Sequence, residues 1–105
     1  MIIKKLKNMT KGWFIGNFEP SMLKTEIFEV GCLERKKGKD IRHYHKIATE
    51  ITCLLSGSMI INGTRMEQGD IFILEPYTIS ESEFYEDSKL VVVKIPSVIG
   101  DKYEV

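Results

Sequence analysis

Apolar residues fall into short runs along this chain, and turn signals close each run before a helical stripe can build. "KTEIFEVGCLERKKG" (24–38) carries β-branched and aromatic residues and ends in a charged, glycine-containing turn. "HYHK" and "TEITCLLSG" (49–57) follow across a short connection. "SMIINGTRMEQGD" (58–70) sets Asn62-Gly63 between apolar flanks, the strongest short-range hairpin signal a sequence offers. "GDIFILEP" closes on Pro76 and "KLVVVKIP" closes on Pro96, and both read as strands. "GWFIGNFEP" near the N-terminus reads as one more. About seven or eight short strands with tight turns and no amphipathic helix predict an all-β sandwich or barrel.

A chain of 105 residues predicts one domain with one core. Hydrophobic content of 43% with 29% charged residues fits a folded, soluble chain, not a disordered one. Fifteen basic and fifteen acidic residues cancel, which removes the electrostatic ground for expecting nucleic acid. The basic runs at Lys4–Lys11 and Arg35–Lys39 read as solvated surface. No apolar run reaches membrane-spanning length and no secretory signal is recognisable, so the expected location is the cytoplasm. Cys32 and Cys53 lie in apolar strand-like segments and are expected as unbridged core thiols. Residues 1–24, with Trp13, Phe14 and Phe18, are expected to pack on the barrel or on a partner subunit. Residues 25–96 are expected to form the barrel, and 97–105 a polar tail.

The candidate chemistry sits in "HYHKIATEITCLLSG" (43–57), which holds both histidines of the chain. Side chains at i and i+2 of a strand share a face, so His43 and His45 point together and Tyr44 points away. "KIAT" must turn the chain, so Glu50 enters the returning strand beside the histidines. Alternation from there sets Glu50, Thr52 and Leu54 on one face. Two imidazoles and one carboxylate suit divalent iron, manganese, nickel, cobalt or zinc, with coordination positions left open. The alternative is a pair of exposed side chains on a polar strand end.

His43-x-His45-x4-Glu50-x6-Gly57 resembles the second half of the first cupin motif, G-x5-H-x-H-x3–4-E-x6-G. "GDIFILEP" resembles the start of the second, with the Asn62-Gly63 hairpin between the two as that family has it. The chain is thus similar to small single-domain cupins over residues 25–96. The resemblance implies a double-stranded β-helix (jelly-roll barrel) with His43, His45 and Glu50 as three of four ligands to a divalent transition metal. It also implies a small-molecule ligand and a homodimer that covers an open sheet edge.

The second motif departs from the family pattern. Glu75 stands at its proline, Tyr77 at its glycine and Ser80 at its ligand histidine. Glu81 is a better ligand than Ser80 if a one-residue slip turns it inward; otherwise the fourth position falls to water or substrate. Glu81 and Glu75 are the candidate bases, and Trp13, Tyr77 and Thr52 the candidate substrate contacts.

The resemblance to cupins implies a metal-dependent enzyme of isomerase, epimerase, lyase or dioxygenase type. The competing expectations are a non-catalytic module that binds or senses a sugar or other metabolite, and a metal-free accessory subunit.

Overall fold

A computed structural model describes residues 1–105. Twelve strands run through it: β1 (Trp13–Gly16), β2 (Leu23–Lys24), β3 (Glu29–Arg35), β4 (Gly38–Lys39), β5 (His43–Tyr44), β6 (Thr49–Ser56), β7 (Ser58–Ile61), β8 (Thr64–Glu67), β9 (Ile71–Leu74), β10 (Ser82–Phe84), β11 (Ser88–Ile95) and β12 (Tyr103–Glu104). One turn of 3-10 helix at Leu6–Asn8 is the only helical element. No helix is long and apolar enough to cross a membrane.

The strands form a six-stranded sheet in the order β2-β1-β3-β11-β6-β9, a four-stranded sheet β4-β10-β7-β8, and the pair β12-β5. Alternation decides what faces inward. On β6, Thr52 and Leu54 are 2% and 0% exposed, and across the sheet Leu90 pairs with both Leu33 and Leu54 while Val92 pairs with Gly31 and Thr52. Met59, Ile61, Met66 and Phe84 of the smaller sheet close on these residues to make one core. Burying side chains such as Leu54 or Met59 completely contributes roughly 1.5–3 kcal/mol each.

The Asn62-Gly63 hairpin is as expected. Both residues take positive φ, 48° and 80°, the left-handed pair that a two-residue turn with the strands' own twist requires. Asn62 then ties the turn to the facing strand, its Oδ1 accepting from the Glu81 N–H and its Nδ2 donating to the Ile79 carbonyl, each at 2.8 Å.

Three expectations are revised by the packing. The N-terminal segment is not a cover laid on the barrel, because β1 and β2 are strands of the six-stranded sheet itself. Trp13 pairs with Gly31, and a Cβ on Gly31 would come within 2.8 Å of the indole, so the glycine makes room for the ring. The C-terminal tail is also structural: β12 pairs with β5, the strand that carries His43. Cys32 and Cys53 are half-buried on the outer face, not in the core, since the inward parity belongs to Gly31, Leu33, Thr52 and Leu54. They flank Val91 from opposite sides, two strand spacings apart, roughly 10 Å and beyond disulfide reach.

Candidate metal centre

His43 lies on β5 and His45 one residue past its end, and they are 8% and 6% exposed. β5 is held on both sides. β12 pairs with it along one edge, and on the other the His43 N–H donates to the Ser80 carbonyl at 3.3 Å while the Ser80 N–H donates back at 2.7 Å. The turn from His45 to β6 is closed by Asp101, whose carboxylate accepts from the N–H groups of Lys46, Ile47 and Ala48 at 2.9, 3.1 and 2.9 Å. Burial alone would push the Asp101 carboxyl up; those three N–H donors outweigh it and hold it below the usual range. The turn therefore delivers Glu50 back beside the histidines.

The two imidazole rings meet edge to face, centroids 5.4 Å apart at 80°. His43 Nδ1 lies 2.8 Å from the Ile41 carbonyl, which can only accept, so Nδ1 carries the proton and Nε2 keeps its lone pair. His45 Nε2 is buried with no hydrogen-bond partner. Burial, then the positive Lys94, then His43, push the His45 pKa down to about 4, so its ring is neutral at neutral pH.

One ligand atom from each of His43, His45 and Glu50 lies within 4.8 Å of the others. Ligands about 2.0–2.2 Å from a shared ion sit within roughly 4 Å of one another, so small rotations bring the three onto one centre. Neutral imidazoles and a carboxylate are the donor set a first-row divalent ion takes, and such an ion satisfies the orphaned His45 nitrogen. The residues fit the group.

Two cavities meet at this centre. The barrel lumen, about 210 Å³, is lined by His43, Glu50, Thr52 and Ser80. A second cavity, about 280 Å³, is lined by His45, Glu29, Ser97 and Asp101. Trp13, Lys94 and Lys102 border both.

The remaining candidates separate. Thr52 and Trp13 line cavity walls. Tyr77 is 67% exposed and stacks on Tyr44, ring centroids 6.2 Å apart, outside both cavities. Glu75 is exposed, 3.4 Å from the Thr49 hydroxyl. Glu81 faces outward to Arg42 Nε at 3.6 Å, and Ser80 is the residue that points in, 7% exposed. The slip that would bring Glu81 inward does not occur. Its backbone N–H and carbonyl are both held by Asn62, and with that register fixed a period of two turns Ser80 in and Glu81 out. Neither proposed base therefore reaches the centre.

Two cavity residues escaped the sequence reading: Glu29 on β3 and Lys94 on β11. Burial pushes the Glu29 carboxyl up against the opposing pull of Lys94 and of its hydrogen bond with Ser97. The signal that could have found both is parity. Glu29 is in step with Gly31 and Leu33, and Lys94 with Leu90 and Val92, so each is a charge on an inward-facing row.

No protein-family model and no curated protein matches the sequence. Solved structures do match. KdgF from Halomonas sp. is similar at 21% identity and TM-score 0.63, over 70% of this chain and 74% of that one. An uncharacterized conserved protein with a double-stranded β-helix domain from Klebsiella pneumoniae is similar at 23% identity and TM-score 0.67, over 80% and 79%. Streptomyces Pac13, a nucleoside dehydratase, is similar at 14% identity and TM-score 0.67, over 77% and 70%. At these identities the likeness is one of fold.

Proposed function

We propose that this chain, a single-domain cupin barrel, is a metal-dependent enzyme acting on a small oxygen-bearing metabolite by isomerase, epimerase or lyase chemistry. The observation that carries the reading is the buried, unpartnered His45 Nε2 beside His43 and Glu50, with one ligand atom of each inside 4.8 Å. Pac13, described as a nucleoside dehydratase and solved with uridine, supports a small ligand in a barrel of this kind.

A divalent iron, manganese, nickel, cobalt or zinc ion held by His43, His45 and Glu50 would supply Lewis acidity toward a ligand oxygen. Around it, the chain's own groups have separate tasks. The Ile41 carbonyl fixes the His43 tautomer, and Asp101 fixes the turn that presents Glu50. Leu33, Leu90 and Val92 give the lumen an apolar wall. The Thr52 hydroxyl and the Trp13 ring orient the ligand from the walls. Glu29 replaces Glu75 and Glu81 as the group that moves a proton, since its carboxyl is half-buried in a cavity wall and is pushed toward neutral pH.

Metal analysis of protein purified without a histidine tag tests this. Near-stoichiometric metal that disappears in His43→Ala together with His45→Ala is the expected result; metal-free wild-type protein that cannot be loaded refutes it.

One observation favours a second reading. Ser80 stands where a fourth ligand histidine is expected, and a three-residue set suits a module that binds a metabolite without turning it over. Metabolite binding unchanged by the histidine substitutions would select it.

For assembly we propose a homodimer. The outer face of the six-stranded sheet carries the rows Cys32–Val91–Cys53–Ile71 and Val30–Val93–Ile51–Ile73, with Ile71 and Ile73 65% and 55% exposed on the edge strand β9. Two apolar rows of this kind can meet their own copy about a two-fold axis. A monomer mass by light scattering rules the dimer out.

A further inference from the structure

We infer that Lys94 binds an anionic group of the ligand, and that the ligand is therefore a small organic acid carrying a carboxylate. The inference rests on the two cavities being the ligand site. It does not require the metal.

Lys94 sits on the inner face of β11, paired with Glu29 on one side and Glu50 on the other, and it borders both cavities. Despite those neighbours its ammonium joins none of the protein's five ion pairs. Its one resolved contact is the Trp13 ring, with Nζ 4.9 Å from the centroid. A lysine on an inward row is rare unless paired, because desolvating an ammonium without a counter-charge is unfavourable.

The acids nearby are already committed. Asp101 accepts from three backbone N–H groups, and Asp40 faces Arg35 Nε at 4.0 Å. Glu50 lies with His43 and His45, one ligand atom of each within 4.8 Å, and makes no ion pair with Lys94. Glu29 makes no ion pair with Lys94, and burial pushes its carboxyl up. The uncommitted charges on the shared wall are therefore Lys94 and the more exposed Lys102, both positive. A divalent ion at the histidines adds to that sign. A carboxylate reaching Nζ from either cavity completes the site, while the rest of the molecule extends toward His43 and His45.

Trp13 is the only tryptophan in the chain, and it packs against this ammonium, so its emission reports occupancy. Metal-free protein is titrated with L-malate and with 1,2,4-butanetriol, the uncharged polyol on the same carbon skeleton. Malate should give a saturable change in emission and the triol none over the same range. Lys94→Met should weaken malate binding roughly ten- to hundredfold, the scale of one charge-assisted hydrogen bond, and Lys94→Arg should retain it. Should Lys94→Met not fold, the wild-type response must still weaken in 0.5 M sodium chloride. Malate binding untouched by Lys94→Met or by salt, triol binding of equal strength, or no malate binding with or without metal overturns the inference. Failure of the metal reading looks different: protein that takes up no metal, yet still binds malate through Lys94.

Discussion

The Asp101 carboxylate accepts a hydrogen bond from the Ala48 N–H at 2.9 Å across 53 residues of chain. Together with its bonds to Lys46 and Ile47, this contact makes the C-terminal segment part of the site. It joins the end of the histidine strand to the start of the Glu50 strand, so the spacing of the three ligands depends on a residue that ligates nothing.

Asp101→Ala should leave one buried and two part-buried N–H groups without their acceptor and cost about 3 kcal/mol of stability. For a chain of this length that lowers the melting temperature by roughly 15 °C. Metal affinity should fall as well, because Glu50 loses its fixed entry point. Urea unfolding and metal titration measure the two effects. An unchanged unfolding midpoint would show that the turn closes without Asp101.

The depressed His45 pKa gives the metal-free protein a defined acid limit. The ring titrates near 4 when folded against an ordinary 6.5, so between those values the unfolded chain binds a proton that the folded chain does not. Stability is therefore full above 6.5 and falls as the pH drops toward 4. The loss is on the order of 3 kcal/mol. Chemical unfolding of EDTA-treated protein at a series of pH values should show this slope, and His45→Gln should flatten it. A wild-type profile flat across that window refutes the assignment.

Trp13 occupies its place at the cavity wall because Gly31 offers no side chain opposite it. Gly31→Val should push the indole out and destabilise the protein by roughly 1–3 kcal/mol. Tryptophan emission should shift to the red as the ring meets water. Unaltered emission with unaltered stability would mean that the ring has another seat.

The barrel and the clustering of His43, His45 and Glu50 were legible in the sequence because both depend on short-range rules. Asn62-Gly63 specified its turn from two residues, and the parity of His43 and His45 needed only three. Asp101 was illegible because its partners lie more than fifty residues away and its role uses no motif. Trp13 was placed among the candidate contacts, yet its partner Gly31 depends on strand pairing that sequence does not show. Glu75, Tyr77 and Glu81 misled for another reason. Glu75 and Tyr77 were aligned to a motif and Glu81 stood beside its histidine position, inward only with a one-residue slip; Asn62 fixes the register of that segment and sends Glu81 toward Arg42. Glu29 and Lys94 were recoverable, since a charge in step with inward aliphatics is the mark of a lined cavity.

Ser80 provides the sharpest test of that register. Its backbone is paired with His43 in both directions, and residues so paired project onto the same face with Cβ atoms about 4.5–5.5 Å apart. It points into the lumen that His43 and Glu50 line, where a larger side chain has about 210 Å³ available. Ser80→His should therefore supply a third imidazole and a fourth ligand, with two opposite consequences. Metal-free protein should lose about 1–3 kcal/mol, since the lumen then holds a further buried imidazole with no hydrogen-bond partner. Metal affinity should rise by about tenfold or more, by analogy with the loss seen when a ligand's own support is removed. Competition against a chromogenic chelator measures the gain, and thermal melts with and without metal show the change of sign. If Glu81→His tightens the metal and Ser80→His does not, the strand is shifted by one residue from the Ser80–His43 pairing, and the outward placement of Glu81 is wrong.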